Sequence, residues 1–188
     1  MEIYLIRHTT PDVAKGICYG QADLDVAASF SDEATAIRSY LPAAPAAVYS
    51  SPLQRCQKLA VFLFPGQVVQ QEPDLKELDF GNWELQAWNE IAQADLQAWM
   101  DNFVEAIVPG GESYSALAAR SVHVFKKIKA GALPAVVIAH GGVLRSILAH
   151  ISGISLQDSF QAFEVPYGCV LKISQSNNKF DYQLLYKP

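Results

Sequence analysis

A mostly parallel β-sheet covered by helices on both faces is the fold this sequence predicts, and three observations predict it. Short apolar runs alternate with amphipathic helical patterns along most of the chain, the order of an α/β domain. The run Ala135 to Ala139 is apolar at every position, as in a strand buried on both faces. The runs Cys169 to Ile173 and Tyr182 to Tyr186 flank Asn177 and Asn178 as the arms of a hairpin, so one antiparallel pair closes the sheet. No Gly/Ser linker, repeat or low-complexity segment divides the chain, and residues 1–188 read as one domain.

Each element follows from its residues. Glu2 to Ile6 is a strand because Ile3, Leu5 and Ile6 are apolar and β-prone, and the polar stretch from Arg7 to Pro11 ends it. Ser31 to Leu41 carries Ala34, Ile37 and Leu41 on one face and is a helix closed by Pro42; Ala46 to Tyr49 is the next strand. Ser51, Pro52, Leu53 and Gln54 form a helix start of the S-x-x-Q type with Pro at the first helical position, which puts Arg55 in the first turn of a helix reaching about Phe62. Val68 to Gln70 is a further strand, and Leu75 to Gly81 has no period and reads as a loop. Trp83 to Phe103 keeps helical spacing through Trp88, Ile91, Ala92, Leu96 and Trp99 until Pro109, Gly110 and Gly111 break it. A longer helix then carries Tyr114, Leu117, Val122, Phe125 and Ile128. His140 ends the Ala135 strand, and Gly141 and Gly142 open a helix through Leu148.

Composition narrows the class. With 51% hydrophobic and 18% charged residues the chain can bury a sizeable core. Fourteen basic against nineteen acidic residues leave a net charge of −5, so there is no basic field for nucleic acid or anionic lipid. The first apolar run meets Arg7 and His8 at once, and later ones are strand-sized, which predicts no signal peptide and no membrane span. Cys18, Cys56 and Cys169 are far apart and odd in number, so neither a disulfide framework nor a thiolate metal site is expected, and the cytoplasm is the expected compartment. No H-x-x-x-H or similar pair occurs, and no metal or other cofactor is expected.

Open α/β sheets bind ligands beyond the carboxyl ends of their strands. Arg7 and His8 leave one such end, Ser50 and Arg55 adjoin a second, and His140 with the Gly141 helix start lies at a third. Singly, an Arg is usually a solvated surface group and a His usually a hydrogen-bonded structural one. Two guanidiniums and two imidazoles gathered at one sheet edge repel each other unless an anion neutralises them, and the planar fork of Arg fits a phosphate. The implied ligand is a phosphoryl group on a small-molecule phosphomonoester. A neutral imidazole among such Arg residues can attack phosphorus, and His8 is placed best because it adjoins Arg7. The departing alkoxide then needs a proton, which a carboxylic acid of raised pKa can supply; Glu77, between Leu75, Leu78 and Phe80, has a suitable setting.

The sequence resembles the histidine phosphatase superfamily of phosphoglycerate mutase-like proteins, and within it the α-ribazole-5′-phosphate phosphatases of cobalamin biosynthesis. Leu5 to Pro11 is similar to the nucleophile motif in its RHTxP form, Cys18 to Asp23 to CYGxxD, and Ser50 to Arg55 to SSPLxR. Leu75 to Glu84 resembles LxELDFGxWE, Pro109 to Ser113 resembles PGGES, and His140 to Arg145 resembles HxGVxR. The resemblance implies a three-layer α/β/α sandwich and a phosphohistidine on His8. It implies catalytic roles for Arg7, Arg55, Glu77 and His140, with Thr9, Gly20, Gln21 and Gly141 near the phosphate. Two departures stand out: Leu85 where a Gly usually follows the Trp-Glu pair, and the absence of an LTxxG helix start after Asp25.

Within enzymes the rivals are a phosphoglycerate mutase or a broad-specificity sugar or nucleotide phosphatase; from another class, the rival is an inactive phosphate-binding module, which the presence of His8 and Glu77 disfavours. His123 and His150, on helical patterns, read as structural or solvent-facing. The three Trp residues between positions 83 and 99 invite a stacking pocket, yet Trp88 and Trp99 share an apolar stripe and read as core. Gly110 and Gly111 serve equally well as a helix break or as a device that positions Glu112 and Ser113.

Overall fold

The structure is a computed structural model that describes residues 1–177 and 179–188. Its strands are β1 (Glu2–Arg7), β2 (Ala47–Ser50), β3 (Val69–Gln71), β4 (Ala135–Ala139), β5 (Val170–Ser176) and β6 (Lys179–Tyr186), in the order β3-β2-β4-β1-β5-β6. Pairs β3/β2, β2/β4 and β4/β1 are parallel, and β5 runs antiparallel to both β1 and β6. The expected hairpin is present, although Asn178, one of the two residues expected at its turn, lies outside the described residues.

Alternation along the strands builds two cores. Ile3, Leu5, Ala135 and Val137 face Phe125, Ile128, Leu144 and Ile147 of helices α4 (Tyr114–Lys129) and α5 (Gly141–Ser152). Tyr4, Ile6, Val136 and Ile138 point the other way, onto Ile37 and Leu59 of α1 (Phe30–Arg38) and α2 (Gln54–Leu63). A period of two with both sets buried is the pattern of a central strand, and the result is the three-layer α/β/α sandwich. Helix ends are secured locally: Ser113 accepts from the Ala116 amide at the start of α4, and Gly153 closes α5 in the left-handed conformation. No helix among the described residues is long and apolar enough to cross a membrane.

Two expected elements differ. The Ser51/Pro52 helix start is displaced: α2 begins at Gln54 after an extended Leu53, and the Ser51 hydroxyl still accepts from the Leu53 amide at 3.3 Å, as a cap does, and also faces His140 at 2.8 Å. The continuous helix from Trp83 to Phe103 is also absent. A single 3₁₀ turn spans Gly81–Trp83, Leu85 has φ +65°, and only α3 (Gln93–Asp101) is helical. The backbone between pairs with residues 16–18 instead: Cys18 N donates to Gln86 O, Leu85 N to Cys18 O and Trp88 N to Gly16 O. Cross-chain partners satisfy the groups that a helix would have used, so tertiary pairing overrides the periodic pattern. The Trp residues pack as expected by another route, with Trp83 buried beside Cys18, Ile91 and Val108, and with Trp88 and Trp99 against them. The last short helix, α6 (Ser159–Ala162), precedes β5.

Candidate active site

Strands β2, β4 and β1 are adjacent and parallel, so their carboxyl ends meet. The ladder continues past each end: His8 N donates to Ala139 O at 3.0 Å and Ser51 N to Ile138 O at 3.0 Å. His140 thereby lies between Ser51 and His8, and the two imidazole centroids are 5.0 Å apart. This is the convergence expected from the sequence.

His8 is buried, and its Nδ1 lies 2.7 Å from the Thr9 carbonyl, an acceptor only, so Nδ1 carries the proton. Nε2 is left with its lone pair, 3.3 Å from Arg55 Nε, which donates to it. Burial, then Arg55 and Arg7, hold the His8 pKa well below its ordinary value of 6.5, so the ring is neutral. His140 is buried too and its pKa is lowered in the same direction, first by burial and then by His8, Arg55 and Arg7. Arg55 Nη2 donates to its Nδ1 at 3.3 Å, so Nε2 carries the proton and donates to Ser51 Oγ. The neighbouring thiol is inert: burial pushes Cys56 up to about 12.

Arg55 is completely buried, without a carboxylate partner among the described residues. Besides the two imidazoles it donates only to the Ala22 and Gly20 carbonyls. A buried cation compensated by neutral acceptors alone is costly until an anion joins it. Arg7 donates Nη1 to the Val165 carbonyl, lies 3.9 Å from the Tyr167 ring centre and keeps a buried Nε with no partner in the protein. Tyr167 and Tyr19 share a short hydrogen bond between their hydroxyls and lie over Arg7 and Arg55 respectively.

Glu77 joins this set from the opposite wall. Its Oε1 accepts from the Leu78 amide at 2.9 Å and its Oε2 from the Gly142 amide at 3.0 Å. Polar backbone groups, rather than the apolar neighbours expected, therefore set the carboxylate. A Cβ on Gly142 would come within 2.4 Å of Oε1, so a larger residue there would displace the carboxylate from this position. The Glu77 carbonyl is gripped in turn by Arg120 Nη2 and Gln21 Nε2. Arg120 also donates to the Asp74 and Lys76 carbonyls and pairs with Glu112, whose carboxylate accepts from Asp79 N. Gly111 packs against the backbone at Asp79, where a Cβ would meet the Asp79 carbonyl at 2.2 Å; Glu112 and Ser113 lie outside the cavity lining, and Ser113 caps α4.

The remaining expected residues take different places. Gly141 lines the cavity with Arg7, His8, Arg55 and Glu77. Thr9 is buried beside it, orienting His8 through its carbonyl, and its hydroxyl has no partner in the protein. Gly20 and Gln21 do not offer free amides: both donate to Glu84, whose carboxylate also accepts from Ala22 and Phe80. Gly20 instead presents its carbonyl to Arg55, and a Cβ there would meet Leu78 O at 1.8 Å. Glu84 is a loop clasp, and Asp79 accepts from Gly81 N, so Glu77 is the carboxylate that faces the cavity. Among the lining residues not predicted as site residues are Tyr19, Tyr114, Arg145 and Phe160. The HxGVxR spacing already places Arg145 one turn after Gly141, on the same helix face, a signal that could have found it. His123 and His150 are exposed and lie outside the site.

Three cations, Arg7, Arg55 and Arg145, gathered with two neutral imidazoles and one carboxylate at one sheet edge suit an enzyme of phosphate esters. The family model described as "Histidine phosphatase superfamily (branch 1)" matches residues 3–187, and the chain belongs to that family. It is a phosphatase. It is similar to a metal-independent phosphoserine phosphatase of Arabidopsis thaliana, with 35% identity over 82% of this chain and 70% of that protein. It is also similar to an adenosylcobalamin/α-ribazole phosphatase of Salmonella typhimurium, with 27% identity over 90% of this chain and 88% of that one. The crystal structure of the α-ribazole phosphatase from Shigella flexneri has the same fold: the TM-score is 0.89 at 24% identity, over 98% of this chain and 96% of that chain.

Proposed function

We propose that the protein hydrolyses phosphomonoesters through a phosphohistidine on His8 and that its substrate is α-ribazole 5′-phosphate, in the assembly of the cobalamin nucleotide loop. One observation carries the reaction: the lone pair of a neutral, buried His8 Nε2 lies against Arg55, a buried cation with no counter-ion. In the first step Nε2 bonds to phosphorus while the P–O bond to the alcohol breaks, and Glu77 gives its proton to the departing oxygen. In the second, water attacks phosphorus, Glu77 takes a proton from it, and the N–P bond breaks to return neutral His8 and inorganic phosphate. Arg7, Arg55 and His140 bind the equatorial oxygens, whose charge grows in each transition state. The Leu78 and Gly142 amides hold Glu77 in place through both steps. Thr9 and the Gly141 helix start complete the phosphate site, while Gly20 and Gln21 support it through Arg55 and Glu77.

The α-ribazole assignment draws support from the relatives of that name, which this chain matches over about nine tenths of its length. A second reading, phosphoserine hydrolysis, is favoured by the 35% relative and by Arg145, a half-buried cation at the cavity wall with no carboxylate partner among the described residues. Phosphate release from α-ribazole 5′-phosphate, phosphoserine and 3-phosphoglycerate separates them. The expected result is a kcat/KM at least ~10-fold higher for α-ribazole 5′-phosphate, the scale of one added set of apolar contacts. A preference for phosphoserine would establish the second reading, and phosphoryl exchange between positions of phosphoglycerate would identify a mutase.

A further inference from the structure

Beside the catalytic cavity, α3, the loop after it and α6 enclose a groove of about 460 Å³ lined by Trp99, Met100, Phe103 and Phe160, with Gln157, Asp158 and Gln161 at its edge. The groove and the cavity share Phe160, which lines both. A run of rings connects them: Tyr114 of the cavity is 5.5 Å from Phe160, Phe160 is 5.5 Å from Phe103, and Phe103 is 6.4 Å from Trp99. Phe160 and Met100 are about half exposed. The sole charged side chain lining the groove is Asp158, which accepts from the Ser155 hydroxyl. Arg145 stands at the junction, its guanidinium 4.7 Å from the Phe160 ring centre.

We infer that this groove is the leaving-group subsite and that it selects phosphomonoesters whose alcohol carries a planar, uncharged aromatic ring. The inference rests on the hydrolase reading of the adjoining cavity and extends it. Adjacency points to the occupant: Phe160 is a wall of both spaces and Arg145 lies against it, so the alcohol of a phosphoryl group held by Arg7 and Arg55 that extends past Arg145 reaches the rings. Those rings supply stacking and edge-to-face contacts, to which every aromatic heterocycle responds. Charge supports the same occupant, because Asp158 repels a carboxylate and no cation in the groove attracts one. A serine leaving group is too short to use the groove and would end at Arg145. Arg145 suits the hydroxyls of a sugar that spans the two compartments.

The test compares α-ribazole 5′-phosphate with ribose 5-phosphate, which has the same primary alkoxide and no ring system, in the wild-type protein and in Phe160→Ala and Phe103→Leu. The wild-type kcat/KM ratio of the two esters is expected to exceed ~10, and each variant to lower it by ~5-fold or more, within the range of one aromatic stacking contact. Phe160 is exposed enough for its truncation to leave the fold intact, and Phe103→Leu keeps an apolar side chain at the more buried position. Quenching of tryptophan emission by the free nucleoside α-ribazole gives a second readout without turnover, expected to be saturable and weakened by both variants. A wild-type ratio near 1, or a ratio unmoved by both variants, would overturn the subsite while leaving the hydrolase reading standing. Absence of phosphate release from any ester would overturn the hydrolase reading, and the nucleoside titration alone would then decide the subsite. A concentration-dependent dimer that blocks quenching would show a second copy of the chain as the occupant and also overturn the subsite.

Discussion

The phosphate end and the leaving-group end of this site are built in opposite ways. At the phosphate end, His8 and His140 at the ends of β1 and β4 and Arg55 in the first turn of α2 are buried and touch one another. At the other end, Phe160 and Met100 stand half exposed on short elements joined by loops. The first arrangement tolerates little displacement, since moving one strand end would break the hydrogen bonds that the buried Arg55 makes to the two imidazoles. The second has room for a different side chain. The reaction is therefore bound to the sheet and the choice of substrate to its borders, which is how one fold serves many phosphate esters.

Removing the nucleophile is the severest way to sharpen that contrast. His8→Ala should lower turnover of every ester by ~10⁴-fold or more, because no other group here can accept the phosphoryl. Equal activity of the variant on any substrate would break the claim that all substrates share one phosphate end. Glu77→Gln should act more selectively. An alkoxide leaves badly unless protonated whereas nitrophenolate leaves unaided, so the loss should be ~100-fold or more on alkyl esters and much smaller on p-nitrophenyl phosphate. Asp79→Asn and Glu84→Gln should lower both activities in parallel, as changes in loop geometry do. A leaving-group-selective defect in either one would move the acid to that residue.

Arg120 tests the same end from a distance. It touches no substrate and holds the Glu77 carbonyl, so Arg120→Gln should cost on the order of 10-fold in kcat on alkyl esters and less on p-nitrophenyl phosphate, reproducing the Glu77 signature in weaker form. Uniform loss on both would make Arg120 a support of the fold alone.

How much of this could be read from the chain follows the same division. The strand ends were legible because Arg7, His8, Arg55 and His140 directly follow or adjoin strongly patterned segments, and a short element leaves little choice of position. Glu77 was legible as a residue, but its hydrogen bonds were not, since Gly142 lies 65 positions away. The periodicity of Trp83 to Phe103 overstates the helix, because only α3 is helical and the apolar residues before it pack into a satellite cluster through loop backbone that pairs with residues 16–18. The groove joins Trp99 and Phe103 to Phe160 of α6, a pairing distant along the chain that spacing alone does not give. The sign of Leu85 was recoverable: a Gly commonly stands at this motif position, and the structure shows why, with φ at +65°.

Two smaller effects complete the comparison. His8 and His140 have folded pKa values below the unfolded value, so between the two the unfolded chain binds protons that the folded one does not. Stability is therefore fully present above about pH 6.5 and falls as the pH drops below it, by up to about 1.4 kcal/mol per pH unit for each ring. Urea midpoints between pH 7.5 and 5 should show this loss, and His8→Asn should shrink it; a midpoint independent of pH in that window would place the rings in solvent. Leu85→Gly relieves a left-handed leucine that is 58% exposed, and should raise stability by about 0.5 to 1 kcal/mol, the strain removed less the added freedom of the unfolded chain. Lowered stability would mean that Leu85 contributes packing that outweighs its backbone strain.

The central claim, a covalent intermediate at the phosphate end, is tested most directly by quenching the reaction with a ³²P-labelled ester within its first turnover and mapping the label. An acid-labile, base-stable phosphoramidate is expected on the peptide that contains His8 and is expected to be absent from His8→Ala. Label on His140 or on Cys56, or turnover with no labelled protein, would contradict it.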